Sequence, residues 1–194
     1  MNITLRLVAL SSLALSALAF AGAQSLPRSF PRIEQEQATP RELISEGLGL
    51  RGVYLWRSTA DDVAAAYGRE FETIEHAPHS VEMRYAARDL SFFYCLADPR
   101  KRIFAIECGA DFRGFTARGI TLGRSTLRDV FKAYGETRPT TTSANEHWTF
   151  SYPGVEFSIP YKDKPASALL NQKITVIDVT TPRAGSDCIV PNLK

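Results

Sequence analysis

With 194 residues, 23 Lys+Arg against 21 Asp+Glu and a formal net charge of +2, the chain lacks the basic excess of a general nucleic-acid binder. Its one compact basic run, Arg100-Lys101-Arg102, follows Asp98-Pro99 between two apolar segments and reads as a solvated hairpin turn rather than a phosphate site. Three cysteines are too few for a disulfide scaffold, and no two have the spacing of metal ligands.

The first segment reads as an address label. Arg6 precedes an apolar run from Leu7 to Phe20, and Ala21-Gly22-Ala23 supply small residues where a signal peptidase reads. This predicts a cleaved signal over 1–23, and the run is short for a bilayer. With no Cys near the cleavage site, lipidation is not expected. The mature chain is then expected to be periplasmic or secreted, with no membrane span after signal removal. Residues 24–49 read as a linker with one short helix. In Thr39-Pro40-Arg41-Glu42-Leu43-Ile44-Ser45-Glu46-Gly47 a cap candidate is followed by Pro at the first helical position and Gly past the end.

From Arg51 the chain says something twice. Arg51 to Gly68 and Arg118 to Gly135 match without a gap at eleven of eighteen positions. The same offset of sixty-seven residues carries Tyr85 onto Tyr152, Ser91 onto Ser158 and Tyr94 onto Tyr161. Thr59 and Asp62 have the spacing of a reciprocal helix cap, and the acid lies at the positive end of the helix dipole. Val63, Ala66 and Tyr67 form an apolar stripe, and Gly68 ends the helix. Thr126, Asp129, Val130, Ala133, Tyr134 and Gly135 repeat each element.

After each helix the period changes to two. Val81, Met83 and Tyr85 share a strand face opposite Glu82 and Arg84; Leu90, Phe92, Tyr94 and Leu96 continue the buried side, with Ser91, Phe93 and Cys95 opposite. Residues 102–108 are apolar on both faces, which predicts a central strand. The second copy answers with Trp148/Phe150/Tyr152, Val155/Phe157/Ile159/Tyr161 and 173–180, after an insertion around Asp163 to Ala168; Pro160 marks an edge or an irregularity. The expected fold is α+β: two tandem αβββ repeats, 50–117 and 118–183, sharing an antiparallel sheet with helices on one face, and a tail at 184–194.

In an exported protein three cysteines imply one bridge and one thiol left over. Cys95 and Cys108 on consecutive strands are the preferred pair; Cys188, stapling the tail to the body, is the competitor. His76, His79 and His147 are the imidazoles, and Pro78 removes a helical metal-binding pair from His76 and His79. No nucleophile elbow, phosphate loop, dinucleotide fingerprint or zinc-protease motif occurs. Ser58, Ser125 and the adjacent Asp61-Asp62 have capping roles. The expectation is a non-enzyme with no catalytic residues, no cofactor and no metal.

The twinned pattern, carried by Gly52, Leu55, Ser58, Thr59, Val63 and Gly68 and by Gly119, Leu122, Ser125, Thr126, Val130 and Gly135, resembles the β-lactamase-inhibitor-protein-like group, which includes the SmpA/OmlA outer-membrane lipoproteins. The resemblance implies an exported, non-catalytic surface that binds other proteins through a concave sheet. The chain departs from the lipoproteins in lacking a lipidated Cys, and no inhibitor contact residues align.

The functional expectation is thus an exported protein-binding module whose partner is another exported or envelope protein, not nucleic acid. Its candidate contact residues are Glu82, Arg84 and Phe93 on the sheet face away from the helices. Tyr54 and Trp56 join them, because the second copy has Thr121 and Gly123 in their places. A small-ligand carrier using the seam between the copies is the alternative, and a histidine-dependent hydrolase a more distant one.

Overall fold

Where the sequence period changes from 3.6 to 2, the backbone changes from helix to strand. The computed structural model describes residues 41–77, 79–142, 147–160, 166–181 and 188; the predicted signal, most of the linker and most of the tail lie outside the described residues. Helices α1 (Ala60–Tyr67) and α2 (Leu127–Tyr134) each open on a reciprocal cap. The Thr59 amide donates to Asp62 Oδ2 at 2.8 Å while the Asp62 amide donates to Thr59 Oγ1 at 3.3 Å. Thr126 and Asp129 repeat the exchange at 2.8 and 3.4 Å, so the otherwise orphaned first-turn amides are satisfied in both helices. Gly68 and Gly135 stop them at φ of 95° and 91°, where a Cβ would be strained.

The same offset recurs in other bonds. Tyr85 Oη donates to the Gly68 carbonyl at 2.8 Å and Tyr152 Oη to that of Gly135 at 2.6 Å. Ser58 and Ser125 hydroxyls accept from the amides of Tyr54 and Thr121, each at 3.0 Å.

Two sheets are built around these helices. The larger has eight strands in the order β4 (Glu72–His76), β5 (Ser80–Tyr85), β6 (Leu90–Cys95), β7 (Ile103–Cys108), β12 (Val176–Val179), β11 (Val155–Pro160), β10 (His147–Tyr152), β9 (Thr140–Thr142). Every neighbouring pair is antiparallel. The chain thus lays four strands outward to inward after α1 and four after α2, and β7 meets β12 in the middle. The smaller sheet has the order β3 (Val53–Tyr54), β2 (Gly49–Leu50), β1 (Glu42–Ser45), β8 (Gly114–Thr116), with β1 and β8 parallel. A short helix, α3 (Ala166–Leu169), falls within the predicted insertion.

Alternation, broken by one irregularity where β6 meets β7 at Phe93/Tyr94, splits the eight-stranded sheet into two faces. Met83, Tyr85, Leu90, Phe92, Ile106, Cys108, Phe150, Val155, Phe157, Ile159, Ile177 and Val179 join Val63, Tyr67, Leu127 and Val130 of the helices in the main core. Their intervening neighbours point to the other side. Pro160 is tolerated because the β11–β12 register runs only from Val155 to Ser158, so its missing amide breaks no bond to β12.

In the larger sheet four strands follow each helix where three were expected, because β4 and β9 add polar edge strands. Three further expectations are corrected. Where a helix is expected at 39–47, Glu42–Ser45 form strand β1: Ile44 is fully buried and pairs with both Leu50 and Thr116, so backbone partners and a core position on either side favour the strand. Gly47, at φ 68°, turns the chain into β2 instead of closing a helix. Leu96 is exposed, since β6 ends at Cys95. The Cys95–Cys108 bridge does not form. Cys108 is opposite Leu90, at the far end of β6 from Cys95, which puts the two roughly 15 Å apart along the strand, beyond bridging distance. They also face different clusters: Cys108 lies in the main core, Cys95 among Phe104 and Ala105. Cys95 bridges Cys188, with Cα atoms 5.5 Å apart, and Cys108 is a free, buried thiol.

Non-reducing peptide mapping is therefore expected to recover a linked pair containing Cys95 and Cys188, with Cys108 alkylated only after unfolding. Because this bridge closes a separation of 93 residues, Cys188→Ser should lower unfolding free energy by about 2–4 kcal/mol in a denaturant titration. A Cys95–Cys108 peptide, or no loss on Cys188→Ser, would contradict the pairing.

Candidate functional site

The sheet face turned away from the helices forms an open trough of about 940 Å³ that reaches from His76 on β4 to Thr140 on β9. Its lining follows from the alternation: Glu82 and Arg84 from β5, Ala105 and Glu107 from β7, Asp178 from β12, Glu156 and Ser158 from β11.

At one end, Glu82 is held by three side chains. Arg84 donates through Nε to Oε1 at 2.7 Å and through Nη2 to Oε2 at 3.0 Å; the Ser91 hydroxyl donates to Oε1 at 2.7 Å, and His76 Nε2 lies 2.7 Å from Oε2. These partners seal the carboxylate in a thin layer at the surface: its side chain is 4 % exposed, that of Arg84 44 %. Burial pushes the carboxyl up, but the hydrogen bonds from Arg84, Ser91 and His76 outweigh it and hold Glu82 below the usual range.

At the centre the opposite condition holds. Glu107 pairs with Asp178 across β7–β12, and Asp178 with Glu156 across β12–β11. Directly opposed residues have Cβ atoms roughly 5 Å apart, and like charges there repel. Burial, with Glu107 and Glu156 alongside, pushes Asp178 well above the ordinary carboxylate range. Glu107 reaches solvent, yet lies on the floor of a concavity with protein on several sides; that desolvation, with Glu82 and Asp89 nearby, raises it against the opposing pull of Arg84 and His147. The row continues through Ser91 and Arg84 on one side and Ser151 on the other. Among the described residues, no group of three His, Cys, Asp or Glu is placed to hold a metal ion.

An aromatic wall closes the first-half side. His76, Phe93, Phe104 and Trp56 follow one another at ring-centre distances of 6.2, 6.4 and 6.1 Å, with the Arg102 guanidinium 5.9 Å from the Trp56 ring and the Cys95–Cys188 bridge in the same cluster. Arg102 is itself fixed by a buried pair with Asp98 at 2.7 Å. Trp56 adopts φ 59°, where the equivalent Gly123 has 67°; a non-glycine residue held in this region is unfavourable unless its packing compensates, and the stack on Phe104 supplies that packing.

Of the residues expected to make contacts, Glu82, Arg84 and Phe93 line one trough. Glu82 is consumed by its three partners and acts as an anchor for Arg84 rather than as a contact. Phe93 is half-buried against Phe104, and Trp56 packs behind that wall. Tyr54 belongs to β3 of the smaller sheet and is 49 % exposed; it is not part of the trough. Glu107 and Asp178 escaped sequence reasoning. The signal was a single acid inside each of two apolar strands, Ile106-Glu107-Cys108 and Ile177-Asp178-Val179. His76, rather than His79, shares the trough with His147.

No family model matches this sequence, and no curated protein does. Among solved structures, that of a DUF4309 family protein (YjgB) from Bacillus subtilis is similar at 17% identity, covering 70% of this chain and 88% of that one, with a TM-score of 0.47.

The raised carboxyl of Asp178 has a thermodynamic sign. Above the ordinary carboxylate range the unfolded chain ionises before the folded one, so this group's contribution is fully present at acid pH and is lost as pH rises through the folded value. Asp178→Asn should therefore raise stability at neutral pH by on the order of 1 kcal/mol, and the gain should vanish in acid, where both states carry the proton. Melting curves across pH check it; an equal gain at every pH would contradict the electrostatic origin.

Proposed function

We propose that the chain is an exported, non-catalytic protein-binding module, built of two tandem copies of one helix-plus-sheet unit, that receives its partner in the trough. The carrying observation is the trough itself: a sheet face with alternate polar side chains, spanning the strands of both halves and left uncovered by either helix. The recurrence of helix caps, tyrosine bonds and serine bonds at one offset supports the duplication. The Cys95–Cys188 bridge supports an oxidising compartment, in line with the signal-like leader. No helix among the described residues is long and apolar enough to cross a membrane.

A polar floor flanked by an aromatic wall suits a partner loop or edge strand, for which Phe93 and Phe104 provide apolar anchorage and Arg84 a charge at the rim. A small-ligand carrier is the second reading, favoured by a volume within the range of small-molecule sites.

Affinity capture from the envelope with the intact, oxidised chain should recover a partner near stoichiometry. Glu156→Lys or Ser151→Trp, both on the trough, should weaken that capture by about tenfold or more, whereas Arg128→Glu on the exposed side of α2 should leave it unchanged. Capture that survives both trough variants and fails with Arg128→Glu would place the contact elsewhere. These variants are preferable to changes at Arg84, whose loss would strand the buried Glu82 carboxylate.

A further inference from the structure

A second cleft, of about 620 Å³, lies away from the trough against α2 and is strongly cationic. Arg41, Arg118, Arg124 and Lys132 line it, and Asp129 is the lining carboxylate. That carboxylate caps the helix, accepting from the Thr126 amide at 2.8 Å and hydroxyl at 2.9 Å, and offsets one of the four positive charges, since Lys132 acts on it. Arg118 is a pinned cation: its guanidinium lies 4.5 Å from the centre of the Tyr134 ring, Nη1 donates to the Ala133 carbonyl at 3.3 Å, and Nε is 3.7 Å from Glu46 Oε2. Lys132 is one helical turn past Asp129, so both project from one side of α2. The cations come from three separate segments: the residue before β1, the 118–125 turn, and the helix.

The two halves differ at this place in a directed way. At the offset of sixty-seven residues, Thr121 stands where the first half has Tyr54, and Lys132 where it has Ala65. One replacement removes a large ring from the wall; the other adds a charge. Fold maintenance demands neither, since both positions are solvent-accessible and both helices carry the same cap and the same terminating glycine. Charge in excess of what the protein itself neutralises, gathered around a concavity, is the arrangement that attracts anions.

We infer that this cleft binds a small anion carrying more than one anionic group, of the diphosphate or phosphorylated-metabolite class. Four cations around one cleft offer more donors than a single phosphate group uses. Arginines suit oxyanions because their planar forks bond two oxygens at once.

The test uses isothermal titration of inorganic pyrophosphate into the full chain, with inorganic phosphate in parallel. Saturable 1:1 binding is expected, tighter for pyrophosphate than for phosphate and weakened by salt. Arg124→Ala with Lys132→Ala should weaken it by about tenfold or more. Thr121→Tyr restores the ring found in the first half and keeps all four cations; it should also abolish binding while the melting temperature stays unchanged. Arg100→Ala with Lys101→Ala, on a different basic surface, should have no effect. Absence of saturable binding would overturn the assignment, and so would full binding by Thr121→Tyr, which would reduce the site to diffuse surface charge. Binding to phosphatidylglycerol vesicles without binding to pyrophosphate would overturn it too, by assigning the charge to a lipid surface.

Discussion

The antiparallel pairing of β7 with β12 is the constraint on which the rest of the molecule depends. It joins Ile106 to Val179, Glu107 to Asp178 and Cys108 to Ile177, and so turns two four-stranded pieces into one eight-stranded sheet. Side chains alternate along the paired stretches 106–108 and 177–179, so a single register sets both faces at once. On one face it places Ile106, Cys108, Ile177 and Val179 in the core beneath the helices. On the other it brings Glu107 and Asp178 together at the centre of the trough. A slip by one residue would exchange the two sets, exposing the apolar ones and burying the acids. The core therefore enforces the acidic row, and the row's repulsion is the energetic cost of that enforcement.

One end of the trough and its centre treat a carboxylate withdrawn from solvent in different ways. Glu82 is met by a two-point guanidinium contact, a hydroxyl and an imidazole, which hold its carboxyl below the usual range. Asp178 faces acids on both sides, and its carboxyl is pushed well above the ordinary range. This inequality divides the surface: the Glu82 end is rigid scaffolding, while the centre retains unspent capacity for positive charge or hydrogen-bond donors. The aromatic wall of Phe93, Phe104 and Trp56, backed by the Cys95–Cys188 bridge, gives the remaining side a firm apolar edge. The trough thus has a fixed rim and a floor of closely spaced acids.

Local features were legible in the sequence wherever a few neighbouring residues decide the outcome. The caps at Thr59/Asp62 and Thr126/Asp129, the terminating glycines and the alternation in β5 and β10 are of that kind, and the placement of Glu82, Arg84 and Phe93 on one face followed from alternation alone. What failed depended on pairing across distance. Residues 42–45 carry the punctuation of a helix but become a strand because β2 and β8 offer partners for their backbone and a pocket for Ile44. The edge strands β4 and β9 are short and polar, so they leave little hydrophobic pattern. Cys95 and Cys108 looked adjacent on a hairpin, yet the register that decides the matter is set by the turn and by an irregularity between Phe93 and Tyr94. The acidic row was invisible for the same reason: its members are far apart in the chain, and each looks like an isolated polar residue in an apolar strand.

The central claim is that the seam register holds like charges together on the open face. The most direct measurement is a carbon-detected NMR titration of the Glu107 and Asp178 side-chain carboxyls in the intact, oxidised protein. The account predicts that both titrate above the ordinary carboxylate range, Asp178 the more strongly, and that each responds when the other is replaced by its amide. Both carboxyls titrating at ordinary values, with no coupling between them, would contradict the register and with it the trough built upon it.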